Sequence, residues 1–143
     1  MACVLAFTAA LTGCDGPTEQ PGSLNREVRD GNLAFVVTTV DLAQSKVGNR
    51  TAEGVFVVVH MTVRNIGDDL RAVYCQNQKI KDLAGRTYDD AISAGTGDDT
   101  IKPGELVAVT CAFDVPVGTL AAVVEVHDRA YSTGAAVKVL GVS

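Results

Sequence analysis

Few residues of this chain have side chains able to do chemistry, and their spacing settles most of what can be asked of them. There are two histidines, His60 and His127. Each falls on the polar side of an alternating run, so both are expected on outward faces, on different strands. Met61 adjoins His60, which raises copper. Neighbours in a strand point to opposite faces, so the two cannot chelate together without a bulge. Two solvated imidazoles are the simpler reading. Three acidic pairs stand out: Asp68-Asp69, Asp89-Asp90 and Asp98-Asp99. If two of their loops met at one end of the domain, Asp68, Asp69, Asp98 and Asp99 would offer oxygen ligands to Ca²⁺. No EF-hand spacing is present, and Asp is also simply a good turn residue. A hydrolase lacks its parts: there is no Gly-x-Ser-x-Gly elbow. Gly95-Thr96-Gly97 lacks the Lys of a phosphate loop. Neither an enzyme nor a cofactor is expected.

The cysteines say more. Val4 to Leu11 reads VLAFTAAL, about the length of a signal-peptide core and short of the roughly 18–20 residues that span a bilayer. Leu11-Thr12-Gly13-Cys14 follows and resembles the bacterial lipobox, in which the Cys thiol receives a diacylglycerol and becomes the new N-terminus. Cys14 is therefore the expected lipidation site, residues 1–13 the signal, and the membrane the first partner. Two or three acyl chains hold a protein stably where one does not. The leading Met-Ala-Cys has no positive charge, so a start further upstream is expected; Cys3 receives no role. Cys75 and Cys111 would then share an oxidising compartment. Their disulfide closes a loop of about 37 residues, valued at about 3–4 kcal/mol by chain entropy. The alternative is two separately buried thiols. Neither has a Cys-x-x-Cys partner or an obvious cationic neighbour, which argues against a catalytic thiol.

These residues need elements to position them. The chain has 143 residues, 47% hydrophobic and 20% charged, at net charge −5, so one domain with an ordinary core is expected. No basic patch marks nucleic-acid binding; Lys79 and Lys81 are offset by nearby acids. From Cys14 to residue 30, Pro17, Pro21, Gly16 and Gly22 interrupt a polar run that reads as a flexible tether. Some 15 such residues typically reach about 20 Å, and about 50 Å when drawn out.

Residues 31–143 alternate with period two. In GVFVVVHMTVRN, Val55, Val57, Val59, Met61 and Val63 face one side. Phe56 and Val58 lie on the other, an outward apolar patch and a candidate partner surface. In ELVAVTCAFDVP the inward set is Val107, Val109, Cys111, Phe113 and Val115. In LAAVVEVHD it is Leu120, Ala122, Val124 and Val126, with Glu125 and His127 in water. NLAFVVTTVDL and AAVKVLGV are further strands; LRAVYCQN and KIKDL are shorter ones. About seven strands separated by Gly, Pro and Asp turns predict an all-β, antiparallel two-sheet sandwich.

Three stretches then carry a family resemblance: VRNIGDD (63–69), KIKDLAGRTYDD (79–90) and IKPGELVAVTCAFDVP (101–116). They resemble the telokin-like, immunoglobulin-like domain of bacterial, actinobacterial-type envelope lipoproteins, a family related to a secreted immunogenic mycobacterial antigen. The resemblance implies an immunoglobulin-like β-sandwich outside the cytoplasm and supplies no catalytic residues. Gly67, Gly85 and Gly104 are read as turn glycines, and Tyr88 as a core-edge cap with its hydroxyl on backbone. The expectation is a cell-membrane lipoprotein, anchored on the extracytoplasmic face, whose non-catalytic sandwich binds another envelope or host protein and no nucleic acid. A small-ligand or Ca²⁺-binding protein is the alternative.

Overall fold

A computed structural model describes residues 21–95 and 100–140. The signal, Cys14 and the tether as far as residue 20, and Asp98 and Asp99, lie outside the described residues. The elements in chain order are β1 (Gly22–Ser23), β2 (Glu27–Asp30), β3 (Leu33–Val47), β4 (Arg50–Asn65) and β5 (Arg71–Ala72), then a 3-10 turn (Cys75–Asn77). There follow β6 (Lys79–Asp82), β7 (Thr87–Tyr88), β8 (Ala91–Ser93), β9 (Thr100–Ile101), β10 (Leu106–Val115), β11 (Ala121–Val126) and β12 (Ala135–Lys138). Among the described residues seven strands have four or more residues, and five are shorter.

Two five-stranded sheets form the sandwich. One runs β2-β3-β4-β10-β8, the other β1-β12-β11-β6-β7; β5 and β9 make a separate two-stranded ribbon. Pairing is antiparallel except for β1 beside β12. Between the sheets lie Phe35, Val57, Val63 and Phe113 from the first and Ile80, Val124, Val126 and Val137 from the second, all essentially inaccessible. The alternation expected for β4 holds on this side: Val57, Val59, Met61 and Val63 are all core.

The outer side of the first sheet departs from expectation. Phe56 and Val58 do face outward, but they are 4% and 6% exposed and form a second small apolar cluster with Ala112. The cause is the β3–β4 hairpin. Register shifts interrupt it after Val37, Asp41 and Gln44, and Ala43 takes a left-handed φ of 62°. Bulges bend and twist a strand, and here Val47, close to the hairpin tip, packs onto the outer cluster. The expected exposed patch is thus a covered one.

Three further corrections have local causes. A register shift between Ala121 and Val123, opposite β6, resets the phase of β11. Ala121, Val124 and Val126 point inward, while Leu120, expected inward, is 46% exposed. His127, expected in water, is 3% exposed, because β11 ends at Val126 and period two no longer governs it. Residues 22–30, read as tether, belong to the sheets as β1 and β2: they contribute backbone pairing where composition showed only turn formers. Segment 70–77 is a two-residue strand and a 3-10 turn, not one strand.

That 3-10 turn sets the disulfide. It brings Cys75 to Cys111 at a Cα–Cα distance of 5.4 Å, with both cysteines buried. The bridge ties the segment leading into the second sheet to a central strand of the first.

The pairing of Gly22 with Val137 also gives the sandwich a direction. Because β1 is parallel to β12, Pro21 lies toward Ala136 and the loop 127–134. This near end also holds turns 31–32, 66–70 and 102–105. The far end holds the hairpin tip and loops 83–86 and 116–120.

Replacing both Cys75 and Cys111 with Ala should lower unfolding free energy by about 3–4 kcal/mol, read by urea denaturation. A loss under about 1 kcal/mol would show that the bridge adds little to the packed core.

Candidate functional site

Both histidines have carboxylate partners, His60 from the neighbouring strand and His127 from two residues back in its own run. His60, on the outer face of β4, has Nε2 2.9 Å from Asp41 Oδ2 of β3, and both side chains are about two-fifths exposed. Its Nδ1 lies 3.5 Å from the Thr110 hydroxyl. Met61 is core on the opposite face, so it takes no part. His127 is buried, with Nε2 2.7 Å from Glu125 Oε1 and Nδ1 3.2 Å from both the carbonyl and the hydroxyl of Ser132. A carboxylate, an imidazole and a hydroxyl therefore meet. However, the Ser132 hydroxyl donates to Asp30 Oδ2 at 2.5 Å, so its proton is directed away from the ring. A Cβ on Gly134 would collide with the imidazole, so glycine there lets the loop close over it.

Asp30 and Asp128 organise this near-end cluster. Asp30, at the end of β2, accepts Asp128 N at 2.7 Å, Gly134 N at 2.9 Å and the Ser132 hydroxyl. Asp128, in the loop after β11, accepts Asn32 N at 3.0 Å and pairs with Arg71. Each sheet thus lends a carboxylate to the other sheet's loop. Burial by itself would raise the Asp30 pKa. The three donors, helped by His127, more than reverse that and hold it below the ordinary carboxylate value. Gln78 completes the clasp: its amide donates to the Tyr74 and His127 carbonyls and accepts His127 N.

The family-like motifs have comparable jobs. Asn65, fully buried, donates to the Asp69 and Ile101 carbonyls and accepts Gly67 N, joining the Asn-x-Gly turn to the strand before the Pro-Gly turn. Asp82 accepts Arg86 N and the Tyr88 hydroxyl; the Arg86 bond leads in lowering its pKa. Tyr88 is therefore held by a carboxylate, not by the backbone expected. Asp114, of Phe-Asp-x-Pro, grips Glu53 N at 2.8 Å and Gly54 N at 3.0 Å. A Cβ on Gly54 would strike the Val115 carbonyl, so a side chain there is excluded.

At the far end these restraints shape a surface. An open groove of about 680 Å³ has Phe56, Ile92 and Ala112 on its floor, with Arg50, Glu53, Asp90 and Asp114 around it. Three carboxylates against one guanidinium leave it acidic. A second depression of about 320 Å³ adjoins it through Pro116 and is lined by Leu83, Val117 and Leu120, all exposed. Among the described residues of the predicted acidic pairs, only Asp90 reaches the groove. Asp68 and Asp69 are exposed after β4, and among the described residues no three His, Cys, Asp or Glu side chains gather as metal ligands. Leu83, Val117 and Leu120 were not expected here; the sequence signal was Val117, a β-branched apolar residue inside a Pro-Val-Gly turn.

A family model described as a domain of unknown function, DUF4352, matches residues 22–137. No curated protein sequence matches the chain closely enough to count as a relative. Among solved structures, the chain is similar to MPT63, a secreted protein of Mycobacterium tuberculosis. The TM-score is 0.65 at 17% identity, covering 85% of this chain and 99% of that one. It is also similar to the yjhA protein of Bacillus subtilis, with TM-score 0.60 at 14% identity over 82% and 98%. A β-sandwich protein of Clostridium difficile gives 0.53 at 10% identity over 87% and 98%. At these identities the likeness is one of fold.

Asp30→Asn should destabilise the protein by about 1–3 kcal/mol at pH 7, since an amide cannot accept from all three donors. A carboxylate whose folded pKa is depressed stabilises above its unfolded pKa, and that stability is lost as pH falls through the folded value. The gap between variant and wild type should therefore begin to narrow as pH falls through the ordinary carboxylate range and close only below the depressed folded value. A gap independent of pH, in urea melts from pH 7 to 2.5, would contradict the assignment.

Proposed function

The chain belongs to the DUF4352 family, and from that premise we propose that it is a lipid-anchored, extracytoplasmic domain that captures another envelope or host protein at the far end of its sandwich. The carrying observation is the joined far-end surface: exposed Leu83, Val117 and Leu120 running through Pro116 into an acidic groove floored by Phe56 and Ile92. Soluble proteins seldom expose several large apolar side chains around one depression unless something docks there. Its charge fits a partner segment that is apolar with basic flanks. The Cys75–Cys111 disulfide and a secreted structural neighbour support the extracytoplasmic setting. The lipobox-like Leu11-Thr12-Gly13-Cys14 supports the anchor. A small ligand is the second reading, favoured by the groove's volume, which falls within the roughly 300–1,000 Å³ of ligand clefts.

Crosslinking on intact cells followed by mass spectrometry tests the capture. The pair Leu83→Glu with Val117→Glu should abolish the dominant crosslinked partner while shifting Tm by no more than a few degrees, as expected of exposed sites. Undiminished capture by the folded double variant would overturn the far-end assignment.

A further inference from the structure

The exposed large apolar side chains of the described residues fall at the two ends of the sandwich. At the near end stand Ile66, Leu70, Tyr74, Leu106 and Tyr131; Leu70 is 61% exposed and Tyr131 fully so. Leu70, Tyr74, Arg129 and Ala130 border one shallow depression of about 330 Å³, and Tyr131 follows directly in the same loop. This is the end toward which Pro21 points, through the parallel pairing of β1 with β12. Cys14 precedes Pro21 by seven residues, so an anchor there holds the domain within about 25 Å of the bilayer even when the chain is fully drawn out.

We propose that the near end, through Tyr131, Tyr74 and Leu70, seats on the lipid surface beside the anchor. The seating holds the far-end surface pointing away from the membrane. The inference rests on the lipid-anchor reading of Cys14. Tyrosines favour the boundary between headgroups and acyl chains, where the ring is buried and the hydroxyl stays wet. Arg129 beside them has a long stem that can lie along the apolar surface with its charge at the headgroups. Counted with Arg129, the near-end charges balance. Arg64 and Lys102 join it against Asp68, Asp69 and Glu105, and Arg71 is already paired with Asp128. The contact is therefore aromatic and apolar, and anionic lipid should add little to it.

The chain contains no Trp, so one introduced Trp reports its own surroundings. Mature protein beginning at Cys14, coupled through that thiol to a maleimide lipid, is placed on phosphatidylcholine vesicles. Brominated phosphatidylcholine should quench Tyr131→Trp severalfold more than Val117→Trp at the opposite end, with a blue-shifted emission for the former only. Vesicles containing one part phosphatidylglycerol in three should give the same ratio. Equal quenching at the two positions would overturn the seating, and so would quenching at Tyr131→Trp that appears only with phosphatidylglycerol. Intact mass of the protein from the native membrane fraction separates the two readings. Acyl mass on Cys14 supports the anchor, and a free thiol there overturns the anchor and the seating that rests on it, whatever the vesicles show.

Discussion

Two carboxylates exchanged between the sheets hold the arrangement on which everything else in this fold depends. Asp30 leaves the first sheet to accept the amides of Asp128 and Gly134, and Asp128 leaves the second to accept the amide of Asn32. A buried carboxylate without partners is costly enough that the protein would neutralise or expose it. With three donors on one and a guanidinium on the other, the same charges become directional fasteners. They act where packing alone is weakest, at the mouth of the sandwich, where the apolar rows of both sheets run out. Gly31 shows how tight the fit is: its φ is 59°, and a Cβ there would collide with the Asp128 carboxylate.

The clasp also gives the domain a polarity. It fixes the loop that carries Tyr131 and the segment that carries Arg71 and Tyr74, both on the side toward which Pro21 lies. At the opposite end Asp114 performs a smaller version of the same task, gripping two amides of β4 so that the groove keeps its floor and rim. The faces between the ends are either polar or covered, as Val58 is in the outer cluster. Contact chemistry is thereby confined to two surfaces separated by the length of β4, a strand of 16 residues.

Period-two alternation exposed most of this architecture to sequence reading, because antiparallel strands with one buried face repeat their pattern locally. Val57 to Val63 and Cys111 to Val115 were legible for that reason. So was the Cys75–Cys111 bridge, which followed from compartment and parity. The alternation misleads wherever a bulge shifts its phase, as at Ala121, or where a strand stops, as at His127. The clasp left no local trace at all. Its carboxylate-to-amide bonds join residues 96 to 104 positions apart, and Asp30 sits in a stretch whose composition reads as linker. The burial of Phe56 depended on three irregularities in a neighbouring strand. The far-end surface was half legible: Asp114 and Pro116 stood in a recognisable motif, while Leu83 and Leu120 became exposed only through the register of β6 and β11.

Native-state hydrogen exchange at single-amide resolution tests the clasp most directly. If the carboxylate exchange holds the two sheets together, the amides of Asn32, Asp128 and Gly134 will exchange only through global unfolding, as slowly as those of Val59 and Val124, although all three lie in loops. Exchange at the rate of the Val117 and Gly118 loop amides would contradict the account and leave the joining of the sheets to core packing and the Cys75–Cys111 bridge.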